Sequence, residues 1–226
     1  MNILIFGATG MVGQGVLREC LLDTGIDRVV TVGRASSGRT DPKLHEIVLP
    51  DLFATRERAA ELAGFDACFF CLGVSAVGMS EADYTRITYD LTTTVAGLLG
   101  ELNPGMTFIY VTGTGTSSSE QGRFMWARVK GRTENALFAL PFKAAYMFRP
   151  GFIQPLHGIV SKTGWYRAIY ATTGPLAALL GRMSPGLLTT TEQVGRAMIA
   201  VARNGYAKTI LENADINRAA GPPAAR

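Results

Sequence analysis

The stretch Asn2-Ile3-Leu4-Ile5-Phe6-Gly7-Ala8-Thr9-Gly10-Met11-Val12-Gly13 decides how the rest of the chain is read. The apolar run Ile3–Phe6 enters a glycine turn, and a helix-compatible pattern follows over Met11–Leu22. Each glycine has a separate physical task. Gly7 permits the sharp strand-to-helix turn, Gly10 lets backbone approach an anion with no Cβ in the way, and Gly13 lets the helix lie close on the sheet. The amides and positive dipole end of a helix starting at Met11 and Val12 then favour a diphosphate, with the Thr9 hydroxyl beside it. The position of the triplet, after a strand and at the opening of a helix, points to a pyridine dinucleotide.

Further along, apolar runs alternate with helical patterns, which predicts βαβ units and a parallel sheet. Strands are predicted over Ile3–Phe6, Arg28–Val32, Glu46–Leu49, Ala67–Leu72, Thr107–Val111, Ala144–Phe148 and Thr209–Leu211. Helices are predicted over Met11–Leu22, Arg56–Ala63, Glu81–Glu101, Gln121–Leu140 and Thr191–Asn204. Ser80 is the expected N-cap of the third helix, and Asn103-Pro104-Gly105 its stop. Right-handed crossovers would wind these elements into an α/β fold, a single-domain Rossmann-like doubly wound parallel sheet. The expected division is a dinucleotide-binding core over 1–155, a small substrate-side region over 156–218 and a flexible tail over 219–226.

The end of the second strand bears on which dinucleotide is held. An NAD site carries an Asp or Glu there for the ribose 2′-hydroxyl. This chain has Val32-Gly33-Arg34, while Asp27 and Asp41 lie too early and too late. Arg34 can clamp a 2′-phosphate bidentately and stack on adenine, with Arg39 assisting. NADP(H) is therefore the expected cofactor, with NAD(H) the alternative. Because ligands lie at the carboxyl ends of the strands, Asp51 and Leu52 are expected to frame the adenine. Leu72, Gly73 and Val74 would line the cofactor ribose.

Composition narrows the remaining classes. A chain of 226 residues buries roughly 70% of its unfolded surface, so its core needs no staple. Net charge is +4 with Lys and Arg scattered, so no nucleic-acid face is expected. Cys68 and Cys71 form a C-x-x-C, but residues three apart on a strand face opposite ways and lie about 10 Å apart. That excludes a bridge, and no metal site is expected. No apolar run is long enough to span a bilayer, and the interrupted Trp165–Leu180 stretch includes Arg167 and Pro175. With no leader apparent before Asn2, a cytoplasmic location is expected.

The glycine loop, the Asp51-Leu52 pair, Cys71-Leu72-Gly73, Lys130 and Pro150-Gly151 together resemble the atypical short-chain dehydrogenase/reductases. Within them the chain resembles the NAD(P)-binding epimerase/dehydratase-type proteins related to the Tat-interacting-protein family. The resemblance covers roughly Met1 to Pro155 and implies a Tyr-x-x-x-Lys pair on the helix after the fifth strand. In that pair the tyrosine is the general acid/base, while the lysine holds the nicotinamide ribose and lowers the tyrosine pKa. Here Trp126-Ala127-Arg128-Val129-Lys130 occupies the position. The lysine is kept on the same helix face, but an indole has no usable acid/base function. The family's serine would correspond to Thr112. The resemblance also implies cofactor contacts from Pro150, Gly151, Phe152 and Ile153.

Candidates for the missing acid/base group are Tyr84, Tyr89, Tyr110, Tyr166 and His157. Two functions follow. One is an NADP(H)-dependent oxidoreductase or epimerase acting on a small carbonyl or hydroxyl substrate. The other is a dinucleotide-sensing regulator that acts through a protein partner. Trp126 favours the second, while Lys130 and Pro150-Gly151 favour the first. The segment Trp165–Tyr170 would cap the substrate pocket or touch a membrane surface. The chain is expected to be a monomer or a homodimer that pairs the predicted helices over 81–101 and 121–140.

Overall fold

The computed structural model describes residues 1–159 and 186–222. Strands β1 (Asn2–Phe6), β2 (Arg28–Gly33), β3 (Leu44–Val48), β4 (Ala67–Phe70), β5 (Thr107–Val111), β6 (Ala144–Arg149) and, near the end, Ile210–Glu212 form one sheet. Its order is β3-β2-β1-β4-β5-β6 followed by Ile210–Glu212. Every neighbouring pair is parallel. The chain thus leaves β1 toward β2 and β3 on one side and returns to β4 on the other. That reversal is the doubly wound switch point, and it opens a crevice beyond the carboxyl ends of β1 and β4.

Both faces of the sheet are covered, which is why the central strands read as unbroken apolar runs. Ile3 and Ile5 of β1 pack with Val16, Leu17 and Cys20 of α1 (Met11–Leu22) on one face. The helix Thr191–Asn204 adds Val194, Ala197 and Met198 to the same layer. Leu4 and Phe6 point the other way and meet Val95, Leu98 and Leu99 of the helix Leu91–Leu102. Cys68 and Cys71 fall on opposite faces and are both free thiols, as the period-two alternation requires.

Several element boundaries differ from the sequence reading. Strand β4 ends at Phe70 and not Leu72, because the backbone of Cys71 and Leu72 turns to pass directly against Gly7. The segment expected as an α-helix over Arg56–Ala63 is a 3-10 helix, Leu52–Glu61, kinked at Arg58 and capped by the Asp51 carboxylate. The third helix is interrupted. It comprises α2 (Glu81–Thr85), a π segment (Arg86–Asp90) and α3 (Leu91–Leu102). Ser80 caps α2 as expected, accepting from the Asp83 amide at 3.1 Å. Helix α4 spans Met125–Phe138, shorter than Gln121–Leu140.

The sequence reading missed three elements: a parallel pair, β7 (Phe152–Gln154) with β8 (Leu188–Thr190), and a last helix. With these in place, Thr191–Asn204 is α5, Ile210–Glu212 is β9 and the last helix is α6 (Asn213–Ala220). The start of the expected frayed tail is therefore helical, with Ala220 buried. Residues 223–226, Tyr166 and the whole Trp165–Tyr170 segment lie outside the described residues. No helix among the described residues is long and apolar enough to cross a membrane.

Candidate dinucleotide site

The turn between β1 and α1 is built on backbone proximity. Gly7 has φ +82°, a conformation that side-chain-bearing residues rarely adopt, and its missing Cβ leaves room for the Cys71-Leu72 backbone. A Cβ on Gly13 would stand 2.1 Å from the Gly7 carbonyl oxygen, inside any allowed contact. Gly10 is the N-cap of α1 and no side chain caps it. Its own amide donates to the Gly7 carbonyl at 3.0 Å, and the Gln14 amide closes the first helical turn on the Gly10 carbonyl at 2.9 Å. The amides of Met11, Val12 and Gly13 thus lead a helix whose positive end holds no acidic residue. Thr9 is half-buried beside them. Free backbone amides at the positive end of a helix are the kind of donor set that an anion such as a diphosphate takes.

At the end of β2, Gly33 is followed by Arg34, which is exposed and holds no hydrogen bond or ion pair to another described residue. The loop after it is shaped by a carboxylate that the sequence reading overlooked. Glu46 of β3 accepts from the Ser37 amide at 2.7 Å, from the Ser36 hydroxyl and from Thr31 at 3.3 Å. Burial opposes its charge, but these donors win and hold it below the usual carboxylate range. The sequence held no signal for it, because Glu46 meets Thr31 only through the β2–β3 register. Asp51 is exposed and caps the 3-10 helix through the Phe53 amide at 2.9 Å. Leu52 is a correction, since its side chain is buried in the core and cannot frame an adenine. Beyond β4, Leu72 is half-buried while Gly73 and Val74 are exposed, and a Cβ on Gly73 would meet nothing within 4 Å.

On the far side of the crevice, Lys130 of α4 reaches the end of β5. Its Nζ donates to the Thr112 carbonyl at 2.5 Å and lies against Gly113, which in turn approaches the Pro150 carbonyl. Trp126, one helical turn earlier, covers Gly115 and stacks on Phe124 with ring centroids 6.3 Å apart. Pro150 and Gly151 are pinned by Asn213, another residue the sequence reading missed. Its Oδ1 accepts from the Gly151 amide at 2.9 Å and its amide donates to the Leu188 carbonyl at 3.0 Å. Ile153 is buried, and the Phe152 amide donates to the Leu187 carbonyl at 3.0 Å.

The Thr112 hydroxyl is a second correction. It points away from the crevice, donating toward the Glu134 carboxylate at 2.7 Å with the Phe148 carbonyl at 3.1 Å, so it is committed to the protein interior. Glu134 belongs to a buried network that sequence could not reveal. Arg149 grips it through Nε at 3.0 Å and through Nη2, and also reaches Ser118 and Glu212. Desolvation pushes the Lys130 ammonium down to about 8, opposed in part by Glu134.

The substitutes proposed for the tyrosine fare poorly. Tyr84 and Tyr110 are buried in the core, and desolvation raises both phenols. Tyr89 is covered by the Arg132 guanidinium at 4.0 Å. His157 is on another face altogether: its Nε2 meets Glu192 of α5 at 2.7 Å, in a groove shared with Arg18 and Glu19 of α1. Among the described residues, no group of three or more His, Cys, Asp or Glu could hold a metal ion.

Comparison with known proteins agrees with this architecture. Residues 3–123 match the NAD dependent epimerase/dehydratase family. The chain is 28% identical over 159 residues to "Protein fmp52, mitochondrial" of Emericella nidulans, covering 67% of this chain and 66% of the relative. It is 29% identical over 152 residues to "Protein FMP52-2, mitochondrial" of Scheffersomyces stipitis, covering 66% of this chain and 65% of the relative. The match thus spans just under two thirds of the length of each relative. Among solved structures, the Bordetella bronchiseptica enzyme WbmF in complex with NAD+ superposes with a TM-score of 0.67 at 14% identity. That superposition covers 96% of this chain and 76% of the enzyme. The relatives' names overturn one expectation. Cytoplasmic location rested on the absence of an apparent leader, and both relatives are named as mitochondrial proteins.

Proposed function

This chain belongs to the NAD dependent epimerase/dehydratase family, and on that premise we propose that it binds NADP(H) and serves as an oxidoreductase or epimerase on a small carbonyl or hydroxyl compound. The observation that carries the binding reading is the uncapped first turn of α1, enclosed by Gly7, Gly10 and Gly13. Preference for the phosphorylated dinucleotide rests on Arg34, a guanidinium with no hydrogen bond or ion pair to another described residue, ahead of a loop whose Ser36 and Ser37 occupy the Glu46 carboxylate. A 2′-phosphate supplies the bidentate acceptor that Arg34 lacks. When bound, the nicotinamide supplies or accepts hydride. Lys130 would meet its ribose and Pro150-Gly151 its amide side. A mitochondrial location, supported by the relatives' names, belongs to the same proposal.

A second reading, a dinucleotide-sensing regulator acting through a protein partner, is favoured by one observation. Trp126 stands where the family's catalytic tyrosine is expected. Calorimetric titration with NADPH and NADH separates binding from preference. Tighter NADPH than NADH binding is expected. Tighter NADH binding overturns the preference, and no heat with any reduced or oxidised form overturns the site.

A further inference from the structure

We propose that Lys130 is itself the proton donor of this site, delivering a proton from Nζ to the oxygen of a carbonyl substrate; this rests on the reading above. Among the described residues the geometry leaves few other carriers. Thr112, Tyr84, Tyr110 and His157 are each committed elsewhere, and Trp126 has no exchangeable acid. Lys130 is the titratable side chain that the end of β5 and the Pro150 turn bring to the crevice.

The surroundings of Nζ suit that task. An ammonium has three donors, and one is spent on the Thr112 carbonyl. The carboxylate nearest along its helix face is Glu134, one turn further on, and Arg149 neutralises it. Lys130 is therefore desolvated with no ion pair to another described residue, which favours the neutral amine and makes the ammonium a better acid. Glu134 opposes this shift in part, while its carboxylate is paired with Arg149.

The step balances. A reduced dinucleotide held at the glycine loop would be the source of the hydride that the carbonyl carbon takes up. The N–H bond at Nζ breaks as an O–H bond forms on the carbonyl oxygen, and the neutral amine left behind regains its proton from water. In the oxidative direction the same amine takes the hydroxyl proton.

The test needs no known substrate to begin. The chain contains five lysines, so protein labelled with [13C]lysine should give five assignable Cε signals. One signal, absent in Lys130→Arg, is expected to titrate near pH 8, against about 10.4 for an ordinary lysine. A Lys130 signal that titrates with the others overturns the proposal. A panel of 4-nitrobenzaldehyde, phenanthrenequinone and methylglyoxal with NADPH supplies the second arm. Lys130→Arg keeps a cation but cannot release its proton. It is expected to lose reduction at least 100-fold at saturating NADPH, where any weakening of its ribose contact no longer limits the rate. Retained reduction in Lys130→Arg overturns the proposal. So does a parent protein that binds NADPH yet reduces no member of the panel, and that result leaves the binding reading intact. Failure to bind NADPH at all removes the reading itself.

Discussion

Arg149 at the end of β6 and Glu134 on α4 form a two-point ion pair in the interior, with Glu134 only 1% exposed. The pair joins the end of β6 to the helix that carries Lys130, and its reach to Ser118 and Glu212 extends the tie to the loop after β5 and to β9. A buried charge deprived of its partner is costly. Replacing one side alone, as in Glu134→Leu, is expected to lower stability by about 3–5 kcal/mol in urea unfolding. The double replacement Glu134→Leu with Arg149→Met should lose much less than the sum of the singles. Additive losses would show that the two side chains are not coupled.

The glycine loop separates packing from binding. Gly13→Ala drives a methyl into the Gly7 carbonyl, so both thermal stability and dinucleotide binding should fall, stability by several kcal/mol. Gly73→Ala meets open space and should leave the melting temperature within about a degree. If the cofactor passes close to that backbone, the same variant binds it more weakly, as calorimetry would reveal. Equal behaviour of the two variants would contradict the placement of the site.

Arg34 tests the choice of dinucleotide. It is exposed and unpaired among the described residues, so Arg34→Ala should leave folding unchanged. A charge-assisted contact is worth about 1.5–3 kcal/mol. NADPH affinity should therefore fall roughly 10-fold to 150-fold while NADH affinity barely moves. Parallel titrations of both dinucleotides decide it, and an unchanged NADPH affinity would reject the assignment.

Trp126→Tyr restores a phenol one helical turn from Lys130. The nearby ammonium would draw the phenol's pKa down, and general acid catalysis contributes about 100-fold or more. Reduction of 4-nitrobenzaldehyde should rise by that order, with a pH profile that no longer follows Lys130 alone. Unchanged rates would mean that position 126 does not face the reacting carbonyl.

Glu19 provides a pH test of the α1–α5 interface. Burial raises its carboxyl pKa, against the pull of Arg18, and Glu192 adds to the rise. A folded-state pKa above the unfolded one contributes stability that is present at acid pH and lost as pH rises through the folded value. Glu19→Gln keeps the shape, which matters because its Cγ lies 2.8 Å from where a Gly195 Cβ would stand. The variant should melt higher than the parent at pH 8, and the gain should vanish at about pH 4. A gain of equal size at both ends would mean that ionisation is not its source.

Local chemistry alone was enough to read the β1–α1 turn, the alternating elements and the span of α1 and α5. The signals there are a glycine spacing, a hydrophobic period and caps, all carried by residues a few positions apart. Those readings held because the glycine spacing of the turn and the amphipathic face of Thr191–Asn204 are each written within one short stretch of chain. Leu52 and Thr112 were misplaced for the opposite reason. Each has a side chain suited to a site, and what turned them inward were core residues and a carboxylate far away in sequence. The same holds for Asn213, which anchors the Gly151 amide across 62 positions of chain. Arg149 meets Glu134 and Glu212 only because the sheet order brings β6, α4 and β9 together. What the sequence by itself determined is the fold class and the glycine turn between β1 and α1. Only the tertiary structure decided which polar groups face the crevice, because burial and pairing depend on neighbours that the local chain does not contain.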